Sequence, residues 1–582
     1  MLYMKLLTLH VDYINFKPLK KALKSLPDLP EKEMKPSNVK EALVVMTAVE
    51  KADSVDSAVK ELVSNVKDIA KQVNAKEIVL YPYAHLSSNL SNPETAQEVL
   101  VNAEKELKKA KFKVKRAPFG YYKEFELKVK GHPLSELSRS SSPLAEVTRS
   151  DVQGSKIIAG NEEEYDVKQL LREVSKSKLD TSKLKENDHR ILGKQMDLFS
   201  FSDVAPGMVF WHDKGLIVYN ELIKLWREKH KGTYNEIKTP EILDSKLWKI
   251  SGHWDKYKEN NFVTAYEGRP FLVKPMNCPG GMLVYKNSPK SYKDLPLRVG
   301  EMGTVHRQEL SGVLAGLFRV IQFTQDDAHI FCTEKQVESE IKGVIDLITD
   351  FYKVFGLEFD HIELSTRPEK RIGSDSMWDM AEKILEKVLK ANKVKYKINK
   401  GDGAFYGPKI DFHVKDSLGR TWQTSTVQLD FALPERFELE YVDKDNKKKR
   451  PIMLHRVIYG AVERFLGVLL EHTSGRLPTW LAPVQVRVVS FTDRNEKYSK
   501  KVVEILAKEI PNLRIDADFR NTTVQAKVKE AELMRVPYIV VVGDREEKSG
   551  EVAIRVRGDK KIKSVRLEKF VKDLGKEIKT RA

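Results

Sequence analysis

Two cysteines in 582 residues, Cys278 and Cys332, are too few for a disulfide framework. A reducing, cytoplasmic setting is therefore the expected compartment. No run approaches the roughly 18 consecutive apolar residues needed to cross a bilayer, so no membrane partner is expected. The opening MLYMKLLTLHVDYINF lacks a basic region followed by a small-residue cleavage site and reads as a strand, which argues against secretion. No CxxC pair or closely spaced histidines accompany Cys278, so local spacing marks no metal loop. An acidic excess is also missing: 101 Lys and Arg against 84 Asp and Glu leave a net charge of +17. That balance favours a polyanionic partner such as nucleic acid. Lys- and Glu-rich surfaces of thermally adapted proteins weaken the signal. What remains is an ordinary globular composition, 41% hydrophobic and 32% charged, long enough for several domains.

The most informative stretch is RVGEMGTVHRQELSGVLAGLFRVIQFTQDDAHIFC, residues 298–332. It reads as two strands around a small-residue loop. Val305, Arg307 and Glu309 share one parity on the first strand. Arg319, Ile321, Phe323, Gln325, Asp327 and His329 share one on the second. Successive strand side chains point to opposite faces, so one face should offer a guanidinium, a ring, an amide, a carboxylate and an imidazole in a row. An inward sheet face would ordinarily carry Val, Ile and Leu. The pattern reads as a site built on rigid strands.

The rest of the chain alternates in pattern. Residues 1–140 read as an α/β module, with strands at KLLTLHV, EALVVMTAVE and KEIVLYPYAHL and helices at 53–73 and 93–112. Residues 141–188 are Ser-rich and charged, a linker with one short helix at DVKQLLREVSKS. A further module, 189–480, carries helices at EIKGVIDLITDFYKVFG and MWDMAEKILEKVLKANK around the strand GLEFDHIELSTRP, to which scaffold roles fall. GDGAFYGPKIDFHVKDSLGRTWQTSTVQLDFALP reads as strand, turn and strand. Gln423 and Gln428 have opposite parity there, so either a bulge is required or one of them is misplaced. An apolar stripe at Val457, Ile458, Ala461, Phe465 and Leu469 suggests a helix ending at TSG. His455 and Arg464, nine residues apart, could face one site only if His455 precedes the regular helix. From 481 to 582, β and α patterns alternate as a mixed α/β domain.

HRQE paired with RVIQFTQDDAHIF resembles motif 2 of class II aminoacyl-tRNA synthetases, in the form of the threonyl-tRNA synthetase family. YNEIKTPEILD resembles motif 1, and Gly460 with Arg464 resembles motif 3. YPYAHLSS and APFGYYKEFELKVKGHPLSELSR resemble the deacylase-like editing domain of the archaeal members, and no HxxxH marks the bacterial editing type. The resemblance implies α/β and α+β architecture in several domains: a deacylase-like editing module, an antiparallel-sheet catalytic domain and an α/β anticodon-binding domain. It implies ATP-dependent ligation of L-threonine to tRNA(Thr) with hydrolysis of misattached serine, in a homodimer, with Mg2+ accompanying ATP.

By the same resemblance Arg307, Glu309, Arg319, Phe323 and Arg464 would hold ATP, and Met276, Gln325, Asp327, Tyr406 and Gln428 the amino acid. Arg307, Arg464, Lys409 and His253 would act in the chemistry, with His253 near the terminal ribose. Cys278, His329 and His455 fall on the family's zinc ligands, one Zn2+ per subunit. Gly281 stands where the common form has histidine, and Thr424 where many have cysteine. His85, Tyr122, Lys123, His132 and Glu136 fall on editing positions. Asn521, Lys529, Arg535, Glu546 and Arg555 fall on anticodon contacts, with Lys529 replacing a common arginine and so losing bidentate geometry. The rivals are another class IIa synthetase, prolyl or seryl, and a non-catalytic tRNA-binding or editing-only paralogue.

Overall fold

The computed structural model describes residues 4–581 other than 24–27, 32, 52, 88–89, 133, 141–166, 169–170, 172–183, 257–260 and 560. The helix expected at 166–177 lies outside the described residues except for three positions. The chain divides into two compact units, Met1–Gln153 and Gly154–Ala582.

In the first unit the strands are β1 (Lys5–Lys21), β2 (Ser37–Ala48), β3 (Glu77–Pro82), β4 (Lys113–Arg116), β5 (Tyr121–Val129) and β6 (Glu136–Ser140), with helices α1 (Val55–Gln72) and α2 (Pro93–Lys109). The sheet runs β4-β3-β2-β1-β5, with β6 also pairing β1. The nearly unbroken apolar run ALVVM suits a strand buried on both faces. Leu43 and Val45 meet Leu62, Val66, Leu100 and Leu107 of the helices, while Val44 and Met46 join Val79 and Tyr81 on the other side. Asn92 starts α2 by accepting from the Thr95 N–H at 2.8 Å, with Pro93 at the first helical position.

The second unit is built on an eight-stranded sheet. Its strands are β7 (Asn235–Glu236), β8 (Leu297–His306), β9 (Gln322–Cys332), β10 (Phe359–Ser365), β11 (Lys397–Asn399), β12 (Lys409–Lys415), β13 (Thr421–Asp430) and β14 (Ile452–Val457). They lie in the order β11-β10-β12-β13-β14-β9-β8-β7. Its helices include α3 (Asp213–His230), α4 (Cys278–Lys286), α5 (Val337–Lys353), α6 (Asp375–Ala391) and α7 (Val462–Thr473). One sheet face is apolar: Ile410, Phe412, Val414, Val427, Leu429 and Leu454 pack with Ile348, Leu385 and Leu466 of the helices. Lys409, Asp411, Gln428 and His455 of the same strands project from the opposite face, whereas Ser425 and Arg456 are buried on the apolar one. Asn235–Glu236, in the motif 1 segment, forms an edge of this sheet.

The stripe at Val457 to Leu469 is not one helix. Val457 ends β14, and α7 begins at Val462 after Gly460, whose φ of 75° is left-handed. His455 is thus on a strand and Arg464 on a helix, which removes the conflict in their spacing.

The C-terminal strands are β15 (Val486–Ser490), β16 (Ile515–Asp518), β17 (Tyr538–Val542), β18 (Glu551–Val556) and β19 (Ile562–Arg566). They form a mixed sheet in the order β16-β15-β17-β18-β19, parallel across the first three and antiparallel after.

Candidate active site

The register of β8 against β9 sets the site. Phe323, Gln325, Asp327 and His329 lie opposite Val305, Gly303, Glu301 and Val299. They share the site face, while Thr324, Asp326, Ala328 and Ile330 take the other. Only these four of the expected row belong to β9: Arg319 and Ile321 precede the strand, and Arg307 and Glu309 lie beyond the end of β8. The row is shorter than parity suggested because the chain leaves the sheet in a pair of short 3-10 turns between residues 311 and 318. Gly303 is required by close approach, since a Cβ there would sit 2.2 Å from the Asn277 Oδ1.

At the open end of β8 the cationic groups gather. The Arg307 guanidinium lies over the Phe323 ring at 5.2 Å, and its Nε donates to the Pro275 carbonyl at 3.2 Å. Arg319 donates from Nε and Nη2 to Glu309 Oε2 at 3.1 and 3.0 Å. Arg464 on α7 donates to the Phe318 carbonyl at 3.2 Å. Burial, then the neighbouring Arg307 and Arg319, lower the pKa of Arg464. Three guanidinium groups offset by one carboxylate form an anion site with forked donors suited to phosphate.

Cys278 begins α4, His329 is on β9, and His455 is on β14 directly opposite His329. All three are buried, and one donor atom from each lies within 4.8 Å of the others. The His455 Nε2 is 2.8 Å from Asp430 Oδ2, which leaves Nδ1 for a ligand and supplies the carboxylate partner usual behind metal-bound histidine. The His329 Nε2 is buried with no hydrogen-bond partner among the described residues. Burial raises the Cys278 thiol pKa well above its ordinary value and drives that of His329 well down. A soft thiolate with two imidazoles and an orphaned ring nitrogen fits a zinc-type ion with an open fourth position. A Cβ on Gly281 would lie 3.3 Å from His329 Nδ1, so the small residue lets α4 approach that ring closely.

A cavity of about 360 Å³ adjoins these donors. Met276, Gln325, Asp327, Tyr406, Gln428, Arg307 and Lys409 all line it. Gln423 does too, because the register slips between Phe412 and His413 and leaves Thr424 without a partner on β12. That bulge carries Gln423 and Gln428 to the same face despite their parity. Asp411, which the sequence does not single out, organises this wall. It accepts from Gln423 Nε2 at 2.6 Å and Thr426 Oγ1 at 2.7 Å, and pairs with Lys409 Nζ at 2.9 Å. Its parity with Lys409 was the available signal. Arg456, also not singled out, borders the cavity from β14, but its side chain is buried on the other face of the sheet against His230 and Tyr234. His253 does not line it. It is fully buried behind Met276, with Nε2 2.9 Å from the Met276 sulfur, and burial pushes its pKa down to about 3.

In the first unit a cavity of about 490 Å³ is lined by His85, Tyr122 and Lys123 among others. The Lys123 Nζ donates to the Pro118 and Tyr121 carbonyls, both at 2.9 Å, and lies 5.3 Å from the Tyr81 ring centroid. Burial pushes its pKa down to about 8. His132 and Glu136 do not line this cavity. His132 Nε2 meets His10 Nδ1 at 2.8 Å, and Glu136 pairs with Leu9 at the other end of β1.

In the C-terminal domain Asn521 and Lys529 are exposed, Asn521 just before the helix Val524–Leu533 and Lys529 on it. Arg555 is on β18. Arg535 and Glu546 have structural partners instead. Arg535 Nε donates to the Ser474 carbonyl at 3.3 Å, and Glu546 Oε2 accepts from the Gly543 N–H at 3.0 Å as a helix cap.

A sheet antiparallel except at its two edge pairs, with arginines at one end of a paired-strand motif, a third on the following helix and a metal-type donor set beside a small cavity, defines a class II synthetase core. Residues 262–473 match the tRNA synthetase class II core domain (G, H, P, S and T). Residues 4–141 match the archaea-specific editing domain of threonyl-tRNA synthetase, and 485–577 an anticodon-binding domain. A threonine–tRNA ligase of Caldanaerobacter subterraneus is 55% identical over 399 residues, 68% of this chain and 62% of the relative. One from Clostridium botulinum is 52% identical over 398 residues, again 68% and 62%. The chain thus spans about 62% of the length of these curated relatives. The crystal structure of the RNA-binding domain of threonyl-tRNA synthetase from Cryptosporidium parvum is 39% identical. It covers 67% of this chain and 98% of its own, with a TM-score of 0.65. The chain belongs to the threonyl-tRNA synthetase family, in the form that carries the archaea-specific editing domain.

Proposed function

We propose that this protein is a threonine–tRNA ligase that activates L-threonine with ATP, transfers it to tRNA(Thr) and hydrolyses misattached serine in its N-terminal unit. The observation that carries the reading is the meeting of Cys278, His329 and His455 beside a cavity lined by Asp327, Gln325 and Arg307.

In activation an oxygen of the threonine carboxylate attacks the α-phosphorus of ATP, and pyrophosphate leaves. Arg307 would bind the carboxylate and α-phosphate together, because a guanidinium fork can pair with both. Arg464 and Arg319 would hold the γ-phosphate, with Mg2+ on the triphosphate. Glu309 would release Arg319 to accept from the adenine amino group, and the Phe323 ring would stack on the base. Gln325, Met276, Tyr406 and Gln428 would shape the amino-acid site, with Asp327 taking an ammonium or hydroxyl. Lys409, held by Asp411 and Asp402, supports the far wall. His253 would act at the terminal ribose only after Met276 moves aside.

Cys278, His329 and His455 would hold Zn2+, which when bound supplies a Lewis-acidic position for the amino and hydroxyl groups of threonine. A purely hydrophobic pocket separates isosteres such as threonine and valine by only about 10²-fold. Serine keeps the hydroxyl, and one missing methyl is worth about 1–3 kcal/mol, so a second hydrolytic site is needed. The edge strand Asn235–Glu236 would meet its copy in a homodimer, in the cytoplasm. Asn521, Lys529 and Arg555 would contact the anticodon; Arg535 and Glu546 would do so only by giving up the partners described above. His132 and Glu136 would join the editing site only in a different arrangement.

Threonine-dependent pyrophosphate exchange by zinc-replete protein tests the reading. Exchange with threonine above that with proline or serine is expected, and its absence would favour a non-catalytic paralogue.

For editing, Lys123→Ala is expected to leave exchange intact and slow Ser-tRNA hydrolysis by roughly 10²-fold, the scale of losing one charge-stabilising donor. The lowered pKa means that the ammonium is lost as pH rises through about 8. Wild-type hydrolysis should therefore lose the Lys123 contribution above that pH, and the variant should lack this inflection. Unchanged hydrolysis in the variant would remove Lys123 from the mechanism.

A further inference from the structure

A second group of metal-type donors lies on the catalytic sheet, on β10, to which the sequence assigns only a scaffold role, and on the neighbouring β12. His361 and Glu363 are two residues apart on β10 and share a face. His413 on β12 lies directly opposite His361 in the antiparallel register. Because Ile410, Phe412 and Val414 turn into the core, His413 projects from the other face of β12, with Lys409 and Asp411.

The three donors lie close together. One ligand atom from each lies within 4.8 Å of the others. Glu363 Oε1 is 3.3 Å from His361 Nε2, and its Oε2 is 3.5 Å from His413 Nε2. Ligands about 2.0–2.1 Å from a tetrahedral zinc stand about 3.3–3.4 Å from one another. The spacing across the carboxylate is therefore close to what one ion requires.

The surroundings point the same way. Asp360 Oδ2 lies 2.7 Å from His361 Nδ1, which holds a proton there and turns the Nε2 lone pair toward Glu363. The Asn399 amide donates to Glu363 Oε2 at 2.9 Å and orients the carboxylate. The His413 Nε2 is buried and has no hydrogen-bond partner among the described residues. An orphaned buried nitrogen is costly unless something is meant to engage it. The three side chains are 17–21% exposed, so an ion can enter and water can complete its coordination. The two rings stack at 4.3 Å and 9°, and both must swing outward for their lone pairs to converge.

We propose that His361, Glu363 and His413 bind a divalent transition-metal ion, zinc foremost, at a site separate from the Cys278 donors. The ion would clip β10 to β12, the strand whose same face supplies Lys409 and Asp411 to the amino-acid cavity.

The test is a titration of metal-stripped full-length protein with Zn2+ in competition with a chromophoric chelator. The C278A background removes the other centre, and H455A replaces it if C278A does not fold. Retention of one equivalent in that background, lost on adding H413A or the milder E363Q, is the expected result. Zn2+ should also raise the Tm of the background variant and not that of the double variant. Two results would overturn the proposal: no bound equivalent in the background variant, or an equivalent that survives H361A together with H413A. In that case the cluster is a carboxylate lying between two histidines without a metal.

Discussion

Cys278→Ala is expected to lose one equivalent of zinc and, with it, the ability to tell threonine from valine. A site that must be met by the substrate hydroxyl rejects an analogue lacking it by about 10⁴-fold or more, whereas shape alone gives about 10². Threonine-dependent pyrophosphate exchange should fall by roughly 10³-fold, and the residual selectivity should approach that of a hydrophobic pocket. The fold should survive, because Cys278 is a small buried residue at the first turn of α4 and the change to alanine removes one atom. Metal analysis of the purified variant, competition kinetics with valine and a melting curve separate these effects. A variant that keeps its activity without bound zinc would sink the assignment of Cys278, His329 and His455.

Arg307→Ala should produce the second large loss. Among the described residues Arg307 is the one guanidinium that both lines the catalytic-unit cavity and lies over the Phe323 ring. On the proposed role its removal would take a charge-assisted donor from the reacting α-phosphate, a type of loss that costs about 10²–10³ in kcat. Arg307→Lys should recover little of this, since an ammonium keeps the charge and lacks the fork. Stability should change little or rise slightly, because Arg464 is partly buried beside Arg307 and its ionisation is disfavoured by that neighbour. Exchange kinetics at saturating threonine and ATP measure the effect, and a decrease of less than tenfold would place the α-phosphate elsewhere.

Gln423 and His455 illustrate how far linear spacing carries. Parity set Gln423 against Gln428, and only the slip at Thr424, seen once β13 is paired with β12, puts both on one face. Nine residues separate His455 from Arg464, and the strand-to-helix change at Gly460 turns both toward one site. Glu546 is the opposite case. A charged residue in the right segment looked available for nucleic acid, yet its carboxylate is engaged in capping a helix. His132 likewise meets His10 across 122 residues of sequence, a pairing that no local pattern foretold.

Local order was therefore settled by the chain itself. The helices over 55–72, 93–109 and 337–353 follow from apolar residues at helical spacing, and the row Phe323, Gln325, Asp327, His329 follows from strand alternation. These patterns depend on neighbours a few residues away, so they can be read without knowing what packs against them. The metal-type donors could not be read that way, because Cys278, His329 and His455 come from a helix start and two strands joined only by the sheet. Likewise His361 and His413 meet only because β10 lies beside β12. Strand pairing brings together residues that are distant in sequence, so which side chains share a site was decided by register in the folded protein.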